Sequence, residues 1–481
     1  MRILLAFCLL AASTAGCLGS DDDDSGPTVA TTEALPGFTG LPLPDLPVLG
    51  VPQLIDTVRA GGEPVIAILP SGTILVSAHP GWTHYHPSED PTHVGAEILT
   101  PANAQSYLWR STDNGTTWQH VNLAGLPVNN APRNAALGVS DPEFTVMEDG
   151  TVCTTDLLAL ATSSVACSSD DGLTWLPGNP VAAGGPNDRQ WLASKGDELY
   201  FTANYFVDHH IRASTDGGLT WERRGDVPCS QDLVTNPLTG NIVVACENGV
   251  AVSEDDGFTW SDIRMVPNST AGGQRILTEP GIDAAGNTWI AWTSGERSLF
   301  AAGSPDEGVS WPWVFDLTAH FTFDNLVQTG NETTGTYVWP WLSAGSEGRL
   351  AVSWIGTRDA VDSATHAGEW HLYTAYLLDA VEPTPIVHVQ QVTTDPLHVG
   401  PICQSGTVCQ VASLQGDDAG DRRLGDFFET TIDAEGFLHL TWADTYSAAQ
   451  DVIAHPAYSR QTGGVRLLAD EDIGVWMPTQ G

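Results

Sequence analysis

The chain has 481 residues, 59 of them acidic and 18 basic, which gives a formal net charge of -41. A surface this acidic repels the nucleic-acid backbone and excludes nucleic acid as a partner class. Lys195 is the single lysine, and aspartate outnumbers glutamate about two to one, a composition suited to high salt, where self-repulsion is screened within a few ångströms. An exported protein of a salt-adapted prokaryote is the expectation, with an ordinary acidic secreted protein as the alternative.

The first residues read as an export signal rather than as fold. Met1 and Arg2 give a short positive start, Ile3 to Ala12 form an apolar run, and small residues lead to Cys17. The run is too short to span a bilayer, as expected of a signal peptide over residues 1–17. Thr14-Ala15-Gly16-Cys17 resembles a lipobox, which implies lipidation of Cys17. Thr14 stands where that motif has leucine, so simple cleavage near Ala15 is the alternative. Residues 18–51 are acidic, then Pro-rich and aperiodic, and read as a tether. No later stretch has the roughly 18 apolar residues of a membrane span. Membrane contact is therefore expected only through the lipid anchor, which would hold the protein at the cell surface.

Residues 52–481 carry two interleaved repeats. The first is a hairpin made of an apolar strand, a Gly-containing turn and a second β-rich strand. It begins in turn at Pro64, Phe144, Trp191, Leu233, Pro280, Trp341 and Phe428. Strands this apolar suit burial between packed sheets. Seven hairpins predict an all-β propeller of seven four-stranded blades, with six blades as the alternative.

The second repeat is Ser-x-Asp-x-Gly-x-Thr/Ser-Trp. It carries Asp113 and Trp118, Asp170 and Trp175, Asp216 and Trp221, Asp255 and Trp260 and, in a degraded copy, Asp306 and Trp311. The copies recur at intervals of 39 to 57 residues. Aspartate at a tight turn accepts bonds from backbone N–H groups and nearby hydroxyls. Glycine supplies the positive φ, and tryptophan buries a large ring whose N–H needs a partner. The pattern is the Asp-box, or BNR repeat, and through it the chain resembles the sialidase superfamily over nearly everything after Val51. Asn187 to Trp191 and Asp421 to Glu429 are similar to segments of bacterial and archaeal sialidase-like proteins. The resemblance implies boxes at the outer ends of blades, away from the central pocket, so their aspartates are structural rather than catalytic.

Leaving aside Cys8 and Cys17, six cysteines pair locally by spacing. Cys229 and Cys246 are equidistant from the turn Asn236 to Gly240, Cys403 and Cys409 flank five residues, and Cys153 and Cys167 fall on successive strands. Three hairpin disulfides are expected of an exported protein. Metal binding is the alternative, but no pair has the spacing of a zinc site.

For activity, the resemblance implies three arginines around a substrate carboxylate, a tyrosine nucleophile activated by a glutamate, and an aspartate acid/base. Gly62 stands where the first arginine belongs, although Arg59 is near. The remaining arginines would come from Arg189, Arg275, Arg358, Arg422 or Arg423. Tyr446, close to Asp444, and Tyr205 are the candidate nucleophiles; the alternative is that each is strand filler.

Glu63, Asp141, Asp188 with Arg189, Asp232, Glu279, Trp341 and Asp426 fall at similar positions in successive units. A propeller gathers those positions at one end of its axis. Together they predict an acidic, aromatic-edged funnel suited to a cation or a polyhydroxylated ligand; the alternative is that each caps its own strand. His79, His84, His86 and His93, with Glu89 and Asp90, read as a transition-metal loop or as solvated histidines. Asp417, Asp418 and Asp421 are the candidate ligands for a calcium ion, and no other cofactor or metal is expected. Asn114, Asn268 and Asn331 open glycosylation sequons. The expected function is binding of a glycan or protein ligand at the funnel, with sialidase-like glycoside hydrolysis as the alternative.

Overall fold

The structure is a computed structural model that describes residues 45–79, 106–121, 140–158, 162–176, 179–181, 187–205, 209–229, 231–269, 278–320, 335–404, 406, 409, 420–447 and 453–474. They form seven antiparallel sheets, six built on four consecutive strands of a meander and the seventh on three, with a fourth from the N-terminal side. The innermost strands are Gly62–Ile68, Ser140–Val146, Asn187–Lys195, Leu233–Thr235, Glu279–Ile282, Thr336–Ala344 and Glu429–Ile432. Each packs against the innermost strand of the next sheet, and the seventh packs against the first. The fold is a seven-bladed propeller, and the seven hairpins read from the sequence are the two inner strands of its blades.

The seventh blade is closed by the other end of the chain. Its outermost strand is Val48–Leu49, with Val48 paired to Gly463 and Leu49 to Gln461, and Gln53–Leu54 pairs with the same third strand. The propeller therefore begins before Val51, which shortens the tether expected over residues 18–51. A two-residue strand beside proline carries no alternation by which sequence reading could find it. Residues 1–44, including Cys17 and the stretch expected to be a signal peptide, lie outside the described residues.

Apolar residues of the inner strands bury completely because sheets cover both of their faces. Trp109, Trp191, Trp289, Trp292, Trp341, Trp354, Trp370 and Trp442 are among the largest fully enclosed side chains. At about 25 cal/mol per Å2 and 150–250 Å2 of area, each contributes roughly 4–6 kcal/mol of gross burial, an upper bound.

All five boxes sit between the third and fourth strands of blades one to five and share one bond pattern. In the first, Asp113 Oδ1 accepts from Ser111 Oγ at 2.8 Å and Thr117 N at 2.9 Å, Oδ2 accepts from Thr117 Oγ1 at 2.6 Å, and Gly115 N donates to Ser111 Oγ at 2.9 Å. The same set recurs around Asp170, Asp216, Asp255 and Asp306. The tryptophan N–H finds its partner in two boxes, where Trp175 and Trp221 donate to the carbonyls of Gly172 and Gly218.

The box glycines also seal the seams between blades. Gly115 lies against the Tyr458 ring of the seventh blade, Gly172 against Leu75, Gly218 against Val165, Gly257 against Ile211 and Gly308 against Val250. Each box thus packs on the blade before it. The seventh blade has no box, and the C-terminal segment after Gly463 takes its place. Ser346 N donates to Leu467 O, Leu467 N to Gly436 O, and Arg349 reaches Arg466 O at 3.1 Å, so the segment joins the sixth and seventh blades.

Cys153–Cys167, Cys229–Cys246 and Cys403–Cys409 are disulfides, as expected from spacing.

Candidate binding site at the propeller axis

Four innermost strands enter the propeller through the same irregularity. Their registers shift between Gly62 and Val65, Ser140 and Glu143, Asn187 and Gln190, and Val338 and Trp341. Within three of these kinks the residue before proline has positive φ: Glu63 at 51°, Asp141 at 48° and Trp339 at 51°. Such a backbone costs about 1–2 kcal/mol for a residue with a side chain and persists where the surroundings enforce it. A bulge re-aims its side chain, and here the carboxyl of Asp141 comes under the charge of Glu63.

These carboxyls start the outer layer of the site. Asp188 of the third blade lies under the charge of Asp141, so carboxyls from three blades gather at one point. The loop before the seventh blade covers it. Gly425, at φ 82°, turns that loop so tightly against Glu63 that a Cβ would stand 2.1 Å from Glu63 Cγ. The turn sets Arg422 Nη2 3.1 Å from Glu63 Oε1 and 2.5 Å from Asp426 Oδ2, while Asp426 N also donates to Glu63 Oε1. Asp188 and Asp426 are the partly exposed members, whereas Glu63, Asp141 and Arg422 are buried.

The inner layer centres on Arg189, which is 8% exposed. Its Nη2 donates to Glu143 Oε2 at 2.7 Å, and its guanidinium lies 3.5 Å from the Phe427 ring centre, with Trp191 and Trp341 farther out. Among the described residues, Arg189 Nε and Nη1 meet no acceptor. Asp232 lies within reach of the charge of Glu279. Glu429 accepts from Ile66 N of the first blade.

Burial and mutual repulsion decide the ionisation. Burial, then the charges of Asp141 and Asp426, push Asp188 up to about 8. Burial pushes Glu279 up to about 8. Glu63, Asp141, Glu143, Asp232 and Glu429 move the same way, chiefly through desolvation. Burial opposes the charge on both arginines, but the surrounding carboxylates hold it in place. The axis is thus a proton-holding ring of carboxyls around two fixed cations.

Six of the sequence candidates meet here as carboxyls: Glu63, Asp141, Asp188, Asp232, Glu279 and Asp426. Asp232 also caps its own strand, accepting from Leu233 N at 2.7 Å. Trp341 lies two residues inside the strand, at the position of Glu143, and Trp339 holds the entrance matching Glu63 and Asp141. Glu143, Glu429, Arg422 and Phe427 complete the ring. The recurring acidic-Pro pair, as in Glu63-Pro64, Asp141-Pro142 and Glu279-Pro280, is the signal that aligns the entrances, with Trp339-Pro340 in the sixth blade. Arg189 occupies the proline position of the third.

The remaining candidates lie elsewhere. Arg423 is held by Asp421, its Nη2 2.6 Å from Oδ2, and Arg59 pairs with Asp56 at 2.9 Å. Arg358 and Tyr446 are exposed, and Asp444 accepts from Tyr446 N at 2.9 Å. Tyr205 ends the second strand of the third blade, and its side chain lies outside the described residues. His79 is buried at the end of a strand, while Arg275, His84, His86, His93, Asp417, Asp418 and Asn331 lie outside the described residues. Asn114 and Asn268 are exposed.

No known family profile matches the chain, and no curated protein matches it significantly. Among solved structures, a fungal alcohol oxidase of the AA5 family in complex with copper is similar at 13% identity and a TM-score of 0.51, over 86% of this chain and 76% of that one. The Penicillium chrysogenum alpha-L-arabinanase is similar at 13% identity and 0.40, over 88% and 99%. The intramolecular trans-sialidase from Ruminococcus gnavus is similar at 14% and 0.38, over 88% and 97%. At these identities the likeness is one of fold alone.

Proposed function

We propose that the protein is an exported propeller, held at the cell surface by a lipid on Cys17, that binds a glycan at the carboxyl ring on its axis. The observation that carries this reading is the state of the two arginines. Arg422 is bonded to Glu63 and Asp426, and Arg189 to Glu143. A sialic-acid carboxylate needs guanidinium groups presented to it, and these are already engaged with the protein's own carboxylates. The partly exposed carboxyls of Asp188 and Asp426 can instead accept hydrogen bonds from hydroxyl groups.

Hydrolysis is the second reading, favoured by the carboxyl of Asp188, whose raised pKa suits a general acid.

A glycan panel with neutral and sialylated members, run in high salt, tests the proposal. Neutral or basic glycans should bind and sialosides should not, and a fluorogenic sialoside should stay intact. Turnover that disappears in Tyr446→Phe or Tyr205→Phe would replace the binding reading with a sialidase.

A further inference from the structure

We infer that the propeller rests on a lipid surface through its box face, with Leu173, Leu219, Leu238, Phe258 and Val309 set into the interfacial layer. The inference goes beyond the glycan site and rests on the reading of Cys17 as a lipid anchor.

Topology gives the first argument. In each blade the innermost strand starts at the axis entrance, and consecutive strands alternate in direction. The turns after the first strand and the boxes after the third therefore share one face, opposite the entrance carboxyls. Leu173, Leu219, Phe258 and Val309 follow the box glycine in blades two to five, and Leu238 lies in the first turn of blade four. Each is between 50% and 70% exposed. Single exposed apolar side chains need no explanation, but four of these repeat at one position in successive blades, and all five lie on one face. Knobs a blade apart suit a flat partner, which meets all of them at once. A bilayer is such a partner, and its hold on a protein surface grows with the apolar area it buries.

The place where the tether joins is an independent observation. The third strand of the seventh blade, His455–Gly463, runs from the entrance side to the box face, and Val48 and Leu49 pair near its end. Asp45 O accepts from Val465 N at 2.9 Å, so the described residues begin on the box face. The 27 residues between Cys17 and Asp45 thus join the propeller on the side that carries the exposed apolar residues. Anchoring at Cys17 raises the local concentration of lipid at that face.

Charge decides the kind of lipid. Hydrogen bonds from Thr117 and Ser111 hold the exposed Asp113 down to about 2, so it stays ionised. Arg110, Arg224 and Arg264 donate to the carbonyls of Asp171, Asp256 and Glu307 at 2.7–2.8 Å, each clasping the next box. These guanidinium groups are engaged within the face. The contact is therefore apolar, and it suits a zwitterionic or neutral lipid rather than an anionic one.

The full chain, expressed with its signal in a lipidating host, would be reconstituted on phosphatidylcholine vesicles that contain a nitroxide-labelled lipid, in high salt. A fluorophore is attached in one protein at Leu219→Cys and in another at Tyr446→Cys, just past the entrance-side end of a second strand. The lipid should quench the first severalfold more strongly than the second. With Leu173→Ser, Phe258→Ser and Val309→Ser combined, the difference should vanish while the protein still floats with the vesicles. Equal quenching at the two positions, or a triple variant quenched like its parent, would overturn the inference and leave the anchor standing. Shielding of the Leu219→Cys fluorophore without vesicles would assign the face to a second copy of the chain instead. If the wild type does not float with the vesicles, the anchor reading and the inference both fall.

Discussion

Arg422 Nη2 lies 3.1 Å from Glu63 Oε1, so the last blade is tied to the first by an ion pair on the propeller axis. Both side chains are almost fully enclosed, and Glu63 is held in a positive-φ backbone at the same point. The same contact that closes the ring therefore also shapes the outer layer of the candidate site.

Removing Arg422 leaves Glu63 and Asp426 without their counter-charge. Loss of one partner of a buried pair costs about 3–5 kcal/mol, and Arg422→Ala should lower unfolding stability by that order in denaturant titration. Arg422→Met combined with Glu63→Gln should recover part of the loss, because no buried ion is then stranded. An Arg422→Ala curve that superimposes on the wild type would show that the seam does not depend on this pair.

The boxes and the axis respond to pH in opposite senses. Hydrogen bonds from Thr117, then Ser111, hold Asp113 down to about 2. The contribution of a group so depressed is present above its unfolded value near 3.8 and is lost as pH falls through about 2. Asp188 and Glu279 are raised to about 8. Their contributions are complete below the unfolded values and are lost as pH rises toward 8. Stability should accordingly peak near pH 4 and fall from there toward pH 8. Asp188→Asn should raise the melting temperature at pH 8 and leave it unchanged at pH 4. A melting temperature that stays flat in both proteins from pH 4 to 8 would refute the assignment.

The blades were legible because each is announced by a hairpin and five of them a second time, by a box whose aspartate, glycine and tryptophan have fixed geometric duties. The entrance carboxyls were legible as a set because the repeat places them at one end of the axis. Less could be read where the physics is not periodic. Arg422 works through the tight turn at Gly425, which brings it back onto Glu63 from 359 positions away. Trp341 was taken for the sixth entrance because register there depends on a bulge, and a bulge shifts alignment by a residue or more. The closing strand Val48–Leu49 is too short for any pattern.

Box glycines need positive φ, but contact separates them further. Gly217 has φ 70° with nothing within 4 Å of a Cβ, whereas at Gly115 a Cβ would stand 2.2 Å from the Tyr458 ring. Gly217→Ala should cost only the backbone strain, about 1–2 kcal/mol. Gly115→Ala should cost a further 1–3 kcal/mol or so, because the overpacked seam must open. Equal losses in chemical denaturation would mean that the glycine acts through φ alone.

The C-terminal segment is predicted to act as the missing box of the seventh blade. Leu467 is fully buried, and Gly345 approaches it so closely that a Cβ there would stand 2.2 Å from Leu467 O. Ser346 Oγ adds bonds to Asp472 and to Ala469 N. Leu467→Ala should therefore cost about 2–5 kcal/mol, as for other buried leucines. Leu173→Ala, at a box position that is 50% exposed, should stay within about 0.5 kcal/mol of the wild type. Deletion of residues 465–481 should admit proteases at the turns Gly345 to Arg349 and Asp433 to Phe437, which the segment covers. Deletion of 475–481 alone should leave those turns resistant. If both truncations resist cleavage equally, the seam between the sixth and seventh blades is held by the sheets themselves and the segment is dispensable.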